Sequence, residues 1–129
     1  MSEYFNIELI SPVKSVLKKE AKQVTIPSFE GLMSILKDHI SLVTFLRPGF
    51  IEVKTEKDEK KFFVEDGTVE FSNNNLLILT STAKSLDSLD ENSIETIIKD
   101  SQEKIRKGKI SDKENYLLSY KIDTLREIN

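Results

Sequence analysis

The chain has 129 residues, of which 38% are hydrophobic and 32% charged, with a net charge of -3 and no cysteine. This length suits one domain, or a domain with an appendage, that can bury its own core. The acidic balance argues against a nucleic-acid-binding protein, and the lack of cysteine excludes disulfides, thiolate zinc sites and cysteine nucleophiles. The N-terminus carries no leader pattern, and no apolar run reaches the ~20 residues that span a bilayer, so we expect a cytoplasmic chain that meets a membrane only indirectly.

Short β-strands are predicted along the first two thirds of the chain. Residues 5–9 alternate apolar and polar side chains, which is the period of a half-buried strand. Pro27 is expected to close the strand at 21–26. The other predicted strands are 13–17, 32–36, 40–46, 50–55, 61–65, 68–72 and 76–81. Because no helical pattern separates them, residues 1–85 are predicted to form an antiparallel β-sandwich.

Two helices are predicted in residues 86–129. Ser88 with Glu91 fits a capping box that starts a helix at about 90–107, and Gly108 ends it. Ser111 with Glu114 is a second capping box, which starts a helix at about 112–128. The apolar stripes are Ile94, Ile97, Ile98 and Ile105 on the first helix, and Leu118, Ile122, Leu125 and Ile128 on the second.

The two helices are joined by only a few residues, so they should form an antiparallel hairpin. The predicted fold class is therefore α+β in the order β then α: an N-terminal sandwich followed by a C-terminal helical hairpin. Residues 84–88 are predicted to be a hinge between a fixed part and a part that can move.

Residues that could carry catalysis are few. His39 is the single histidine, and Asp38 is the one acid beside it. The sequence has no HExxH, no GxSxG and no glycine-rich phosphate loop. A turn or contact histidine is therefore favoured, and we predict no catalytic residue, no metal site and no cofactor. Phe62 and Phe63 are adjacent on a strand and must face opposite sides, which favours core burial over a base-stacking platform.

The segment from Ser28 to Gly49 mixes apolar residues with Gly, Pro and His. Here the chain resembles the epsilon subunit of bacterial F-type ATP synthases, the counterpart of the mitochondrial delta subunit. The matching positions are Glu30, Gly31, Ile35, Leu36, His39, Leu42, Val43, Thr44, Leu46 and Gly49. Blocks 7–12, 63–71 and 77–80 are similar to other strands of that family, and the order of sandwich and hairpin agrees. The chain departs from the pattern at Leu32, Ser34, Lys37, Ser41 and Ser81.

The resemblance implies a non-catalytic subunit of the central rotor stalk. Such subunits grip the gamma subunit and rest on the ring of c subunits, so that proton-driven rotation reaches the catalytic sites. By position, Ser11, His39 and Thr44 would face gamma, and Gly31, Leu32 and Met33 would approach the c-ring. The implied location is peripheral, at the cytoplasmic face of the bacterial plasma membrane.

In many members of this family the hairpin can extend along gamma, and its basic residues then meet the beta subunit and block ATP hydrolysis. The residues that could supply this contact with the alpha and beta subunits are Arg106, Lys109, Lys113, Lys121 and Arg126. A hairpin packed permanently on the sandwich, with ordinary solvated charges, is the alternative. Some members bind ATP through a Leu-Asp-x-x-Arg-Ala motif, but Leu89-Asp90 here lacks the Arg and Ala, so ATP binding is not expected.

Two other functions stay open at this point. A free-standing β-sandwich module for a small ligand would be favoured by a defined apolar pocket in the sandwich. A small enzyme would be favoured by an acid–base pair organised around His39.

Overall fold

The computed structural model describes residues 3–127, which form ten β-strands followed by two α-helices. The strands are β1 (Phe5–Ser11), β2 (Lys14–Ala21), β3 (Gln23–Ser28), β4 (Gly31–Leu36), β5 (Leu42–Leu46), β6 (Gly49–Lys54), β7 (Glu59–Val64), β8 (Gly67–Ser72), β9 (Asn75–Leu79) and β10 (Ala83–Ser85). The helices are α1 (Glu91–Lys107) and α2 (Asp112–Arg126), and a single 3-10 turn, Leu86–Ser88, precedes them. The predicted order of β-sandwich and helical hairpin is confirmed, while Ile128 lies outside the described residues.

The strands divide into two sheets that meet at one residue pair. Sheet one has the order β4-β3-β6-β7-β10, and sheet two has the order β5-β8-β9-β1-β2. The sheets are joined where Ser28 pairs with Leu46. The neighbours are antiparallel except β1 and β9, which run parallel, with Ile7 opposite Leu76. The expectation of a purely antiparallel sandwich misses this pair, because β1 closes sheet two beside a strand from much later in the chain.

One apolar core fills the space between the sheets. The predicted alternation in β1 is confirmed, since Phe5, Ile7 and Leu9 are buried and contribute to this core. The ring of Phe5 meets the ring of Phe71 edge-on, with centroids 5.6 Å apart. Burial of this core supplies the main stabilisation of the sandwich.

Several strand ends differ from the prediction. Ala21 ends β2 instead of starting β3, and β5 starts at Leu42 instead of residue 40. Pro27 lies inside β3, where its carbonyl accepts a hydrogen bond from the Arg47 amide at 3.0 Å. Gly49 is required beside it, because a Cβ there would come within 2.6 Å of Pro27 Cβ. The missing N–H of Pro27 costs no ladder bond on the β6 side, because β6 pairs with β3 only as far as Thr25.

The start of α1 is also corrected. The Ser88 hydroxyl donates to the Ser85 carbonyl at 2.7 Å and belongs to the 3-10 turn, so it does not cap the helix. Asp90 is the cap, and its carboxylate accepts a hydrogen bond from the Ser93 amide at 2.7 Å. The second capping box is confirmed, since the Ser111 hydroxyl accepts from the Glu114 amide at 3.1 Å.

Because Asp90 caps α1, the stability of the first turn of this helix should depend on pH. The hydrogen bond from the Ser93 backbone amide holds the pKa of Asp90 below its ordinary value of 3.8. A carboxylate with a lowered folded pKa stabilises the fold above its unfolded pKa, and this contribution is lost as the pH falls through the folded pKa. Asp90→Ala should therefore speed amide exchange in the first turn of α1 at neutral pH, and the difference from wild type should shrink as the pH falls below 3.8 and through the lowered pKa of Asp90.

Ser88→Ala is the matched control for this experiment. It also removes an exposed side-chain hydrogen bond just before the helix, but not the one that caps α1. Equal acceleration of exchange by both substitutions would contradict the assignment of Asp90 as the cap.

Candidate interaction surfaces

The helical hairpin covers the outer face of sheet one. Phe63 of β7 points away from the sandwich core and is buried against Ile94 of α1 and Leu125 of α2. Phe62, its neighbour, points into the core, so the prediction of opposite faces is confirmed. Half-buried residues Phe50, Leu89, Ile97 and Ile98 surround this second cluster. The helices thus bury apolar surface on the sandwich as well as on each other.

Polar and aromatic contacts hold α2 in this place. The Lys121 ammonium pairs with the carboxylate of Glu65, the residue that follows β7. The Arg47 guanidinium lies 4.1 Å from the centre of the Tyr120 ring. Its Nε also donates to the Ser28 carbonyl at 2.9 Å, so one side chain connects α2 to the junction of the two sheets. Tyr116 stacks on Phe29, with centroids 6.3 Å apart.

Sequence reasoning missed these aromatic contacts. Tyr116 and Tyr120 are four residues apart and share one helical face, but they lie beside the aliphatic stripe that carried the helix prediction. The i, i+4 spacing of two tyrosines was the available signal. Their partners, Phe29 and Arg47, lie in turns whose position no helical pattern could give.

The outer face of sheet two is not covered by any described element. Val43 and Phe45 of β5 are 73% and 59% exposed, and Leu79 of β9 is 44% exposed. Phe45, Thr68 and Leu79 are paired across three neighbouring strands, so their side chains point to the same face of the sheet. Val43 lies two residues before Phe45 and points the same way. Ile40, just before β5, is 79% exposed. We call Ile40, Val43, Phe45 and Leu79 the apolar face; clustering of such side chains is typical of a protein contact site.

The residues predicted to face gamma lie around this apolar face and not in one cluster. Thr44 pairs with the buried Val69, so its half-buried side chain points inward between Val43 and Phe45. Ser11 is the last residue of β1 and lies four residues, or roughly 13 Å along the strand, from Ile7. His39 lies at the other end, where its ring meets Phe71 with centroids 6.0 Å apart. The exposed neighbours of Thr44 are therefore better placed for contact than Thr44 itself.

The residues predicted to approach the c-ring start β4, after the two-residue turn at 29–30. Leu32 is 73% exposed, whereas Met33 packs against the sandwich core. Gly31 has a φ of 121°, which favours glycine. The turn is held by Ser28, whose hydroxyl donates to the Gly31 carbonyl at 2.7 Å. Leu32 is thus the one member of this set whose side chain points into solvent.

The basic residues of the hairpin have different environments. Arg106 forms an exposed pair with Glu103 at 3.1 Å on the same helix. Lys121 is engaged with the sandwich through Glu65. Lys109, Lys113 and Arg126 are exposed, and no carboxylate within residues 3–127 pairs with them. Three of the five predicted cations are therefore available in this docked arrangement.

His39 is held as a structural residue. Its Nδ1 lies 2.7 Å from the Ile40 carbonyl oxygen, which can only accept, so Nδ1 carries the proton. The Asp38 carboxylate accepts from the Asn74 side-chain amide at 3.0 Å, and the Asp38 amide donates back to Asn74 at 2.7 Å. This reciprocal pair joins the loop before β5 to the turn before β9, and it gives His39 no acid–base partner.

An apolar groove of about 770 Å³ lies outside the sandwich core. It runs between the end of sheet two and the start of α2, with Ile10, Phe29, Phe45, Leu79 and Leu117 in its walls. Phe45 and Leu79 belong also to the apolar face, so the groove continues that surface. An open groove of this kind suits a protein contact better than the enclosed ligand pocket of a free-standing binding module.

Other features of the described chain concern metals and membranes. Within residues 3–127 no group of three or more His, Cys, Asp or Glu side chains could hold a metal ion. None of the helices in that range is long and apolar enough to cross a membrane.

Comparison with known proteins gives a consistent family. Residues 4–86 match the model described as "ATP synthase, Delta/Epsilon chain, beta-sandwich domain". The "ATP synthase epsilon chain" of Pelagibacter ubique is 44% identical over 130 residues, which cover 100% of both chains. That of Parvibaculum lavamentivorans is 31% identical and covers 99% of this chain and 97% of the relative.

Solved structures show the same fold. A chain from the mitochondrial ATP synthase of Euglena gracilis, in an assembly of OSCP, F1 and c-ring, superposes with a TM-score of 0.81. It is 18% identical, and the match covers 98% of this chain and 82% of that one. A chain from the central stalk and c-ring of Tetrahymena thermophila ATP synthase gives a TM-score of 0.62 at 16% identity, covering 95% of this chain and 92% of that one.

The contacts of α2 predict that Tyr120→Leu loosens the docked hairpin. Leucine keeps an apolar side chain but loses the edge-on contact with the Tyr116 ring, whose centroid is 4.7 Å away. It also loses the cation–π contact with Arg47, which is worth about 1 kcal/mol at a partly exposed site. Amide exchange along α2 should therefore become about fivefold faster. Hydrogen exchange measured by NMR on the purified chain would show this.

Tyr4→Leu is the control, because Lys22 lies 5.8 Å from the Tyr4 ring in a cation–π pair distant from the hairpin. It should leave exchange in α2 unchanged. If Tyr120→Leu has no more effect than Tyr4→Leu, Arg47 does not help to hold the hairpin.

Proposed function

Since the chain belongs to the ATP synthase delta/epsilon family, we propose that it is a non-catalytic central-stalk subunit that couples rotation of a c-ring, through gamma, to ATP synthesis. The full-length relative at 44% identity is named as an ATP synthase epsilon chain, and this likeness extends through the hairpin. The observation that carries the proposal is the apolar face of sheet two, which the chain's own helices leave open. The proposed domains are residues 1–85 for coupling and residues 86–129 as a separable hairpin.

A coupling subunit must be stiff and must have more than one contact. The described sandwich meets the first requirement, because its buried apolar side chains form one core cluster and its buried side-chain polar atoms all have hydrogen-bond partners. We propose that gamma covers the apolar face, with Ser11, His39 and Thr44 around it. We propose that the c-ring meets the β3–β4 turn, where Leu32 is exposed beside Gly31 and Met33. The chain would then lie at the cytoplasmic face of a bacterial membrane through its partners.

Coupling in this proposal is mechanical. Torque from the c-ring enters at the β3–β4 turn, passes through the sandwich, and leaves at the apolar face. Ser28 is important in this path, because it ends β3, shapes the turn, and pairs with Leu46 at the end of β5 in the other sheet. Both contact sites are thus connected by hydrogen-bonded backbone.

The apolar face predicts a strong effect of Val43→Glu on assembly. Val43 is 73% exposed in the isolated chain and lies opposite Glu70 of β8, so a glutamate should cost the fold no more than about 1 kcal/mol. Buried against gamma, the unpaired carboxylate should weaken binding at least about thirtyfold. Affinity of the purified chain for gamma, measured by calorimetry or surface plasmon resonance, tests this.

Val43→Thr is the matched control, since threonine keeps the branched shape without a charge. It should weaken gamma binding only severalfold. Recovery of gamma and c subunits with the wild-type chain from membranes is the wider test. Wild-type affinity in Val43→Glu would exclude the apolar face as the gamma site, and recovery of neither subunit would exclude the rotor function.

We also propose that the hairpin restrains ATP hydrolysis by meeting the alpha and beta subunits. Lys109, Lys113 and Arg126 are exposed and ready for such a contact, and Arg106 would exchange its partner Glu103 for a new one. Lys121 joins them only when α2 leaves Glu65. ATP itself is not expected to bind the hairpin, because Leu89-Asp90 is followed by neither the Arg nor the Ala of the family motif.

The double substitution Lys109→Gln/Lys113→Gln tests this role without disturbing the docked contacts. The variant loses the two charge pairs that these lysines are proposed to form with the alpha and beta subunits. The ATP hydrolysis rate of the assembled enzyme should therefore rise about two- to fivefold. Lys18→Gln/Lys19→Gln on β2 removes the same charge far from the hairpin and should have no effect. Unchanged hydrolysis in the hairpin variant, or an equal rise in both, would remove the inhibitory role.

A further inference from the structure

The two sheets have four outer strands, and β4 is the least protected of them. β10 has three residues, and β2 carries the charged residues Lys14, Lys18, Lys19 and Glu20. β5 is partly closed by the Ser28–Leu46 pair and by a bond from the Phe29 amide to the Phe45 carbonyl at 3.2 Å. β4 has six residues, GLMSIL, with no charge and no proline. Short or charged edges block pairing with other chains, whereas β4 has neither kind of protection.

The hydrogen-bonding phase of β4 can be derived from its turn. Ser28 and Gly31 close a two-residue hairpin loop, so they form a bonded pair, and bonded and non-bonded pairs alternate from there. Pro27, which has no N–H, falls on a non-bonded pair with Leu32, as this phase requires. The main-chain groups of Leu32, Ser34 and Leu36 therefore point away from β3, toward the free edge.

Those edge groups are largely without partners. The Leu36 carbonyl accepts from the His39 amide at 3.1 Å. Within residues 3–127, the structure shows no backbone partner on this side for Leu32 or Ser34. The Ser34 hydroxyl is already used, since it lies 3.1 Å from the Thr25 hydroxyl and accepts from Gln23 Nε2 at 3.3 Å. What β4 offers a partner is therefore its main chain.

The side chains beside this edge define the chemistry of the partner. Leu32 and Leu36 are 73% and 52% exposed on the outer face of β4. A charged partner residue placed against them would lose hydration without meeting an opposite charge. The fitting partner is thus extended, to match three alternate main-chain positions, and uncharged, to match the two leucines.

We propose that β4 accepts an extended, uncharged segment of another ATP synthase subunit as an added β-strand, paired at Leu32, Ser34 and Leu36. This inference rests on the proposed function, because the partner is a member of that assembly. Main-chain bonds give such strand addition its affinity, and the flanking leucines give it register.

Hydrogen exchange in the intact assembly tests the proposal directly. In the isolated chain, the amides of Leu32 and Ser34 should exchange fast, while those of Met33 and Ile35, bonded to β3, should be slow. In ATP synthase purified through a tag on this chain, the Leu32 and Ser34 amides should slow about a hundredfold or more. Mass spectrometry with fragmentation resolves the individual residues.

Substitution at Ser34 gives a second, independent measurement. Ser34→Pro removes the edge N–H and fills the edge with a ring, but it leaves the bonds to β3 intact. Ser34→Ala is the matched control, because it loses the same hydroxyl and keeps the N–H. The proline variant should dissociate from the assembly about tenfold faster than the alanine variant. If the proline variant does not fold, the exchange measurement decides.

Each other outcome overturns the proposal in a distinguishable way. If the amides of Leu32 and Ser34 exchange as fast in the assembly as in the isolated chain, strand addition is overturned and the rotor function still stands. Protection in the isolated chain that rises with concentration would identify a second copy as the occupant instead. Failure of the wild-type chain to co-purify with other ATP synthase subunits would overturn both proposals.

Discussion

The two-residue period of β-strands decides where everything else in this molecule can lie. Each strand of the sandwich must send alternate side chains to the core and to an outer face. In β7 this period places Phe62 in the core and Phe63 outside, and in β5 it places Val43 and Phe45 outside. A sandwich therefore has two outer faces to satisfy. The hairpin covers the face with Phe63, and no described element covers the face with Val43.

The period also explains what the sequence could and could not predict. Alternation in β1 and two distinct helical stripes gave the fold class and the order of its parts. In β5, however, both sets of alternate residues are largely apolar, so the sequence could not say which set faces out. The exposed face became visible only from the pairing of Thr44 with Val69. Positions carried over from the family resemblance lie around this face, but their side chains point in different directions.

Contacts between distant segments were harder still to predict. Arg47 follows β5 and belongs to no apolar pattern, yet it joins Ser28 to Tyr120 across the molecule. Local sequence also misplaced the cap of α1, because Ser88 and Asp90 are both good capping residues and the 3-10 turn takes Ser88 first. Such choices depend on competition for hydrogen bonds, which composition and spacing do not record.

The parallel pair of β1 and β9 has a consequence for how the chain is made. Asn6 pairs with Asn75, so the first hairpin leaves the ribosome well before its neighbour exists. At about 5–20 residues per second, β1 and β2 wait for several seconds. During that time the lysines of β2 discourage pairing with other nascent chains. The same long separation gives sheet two a high contact order, so its closure should be the slow step of folding.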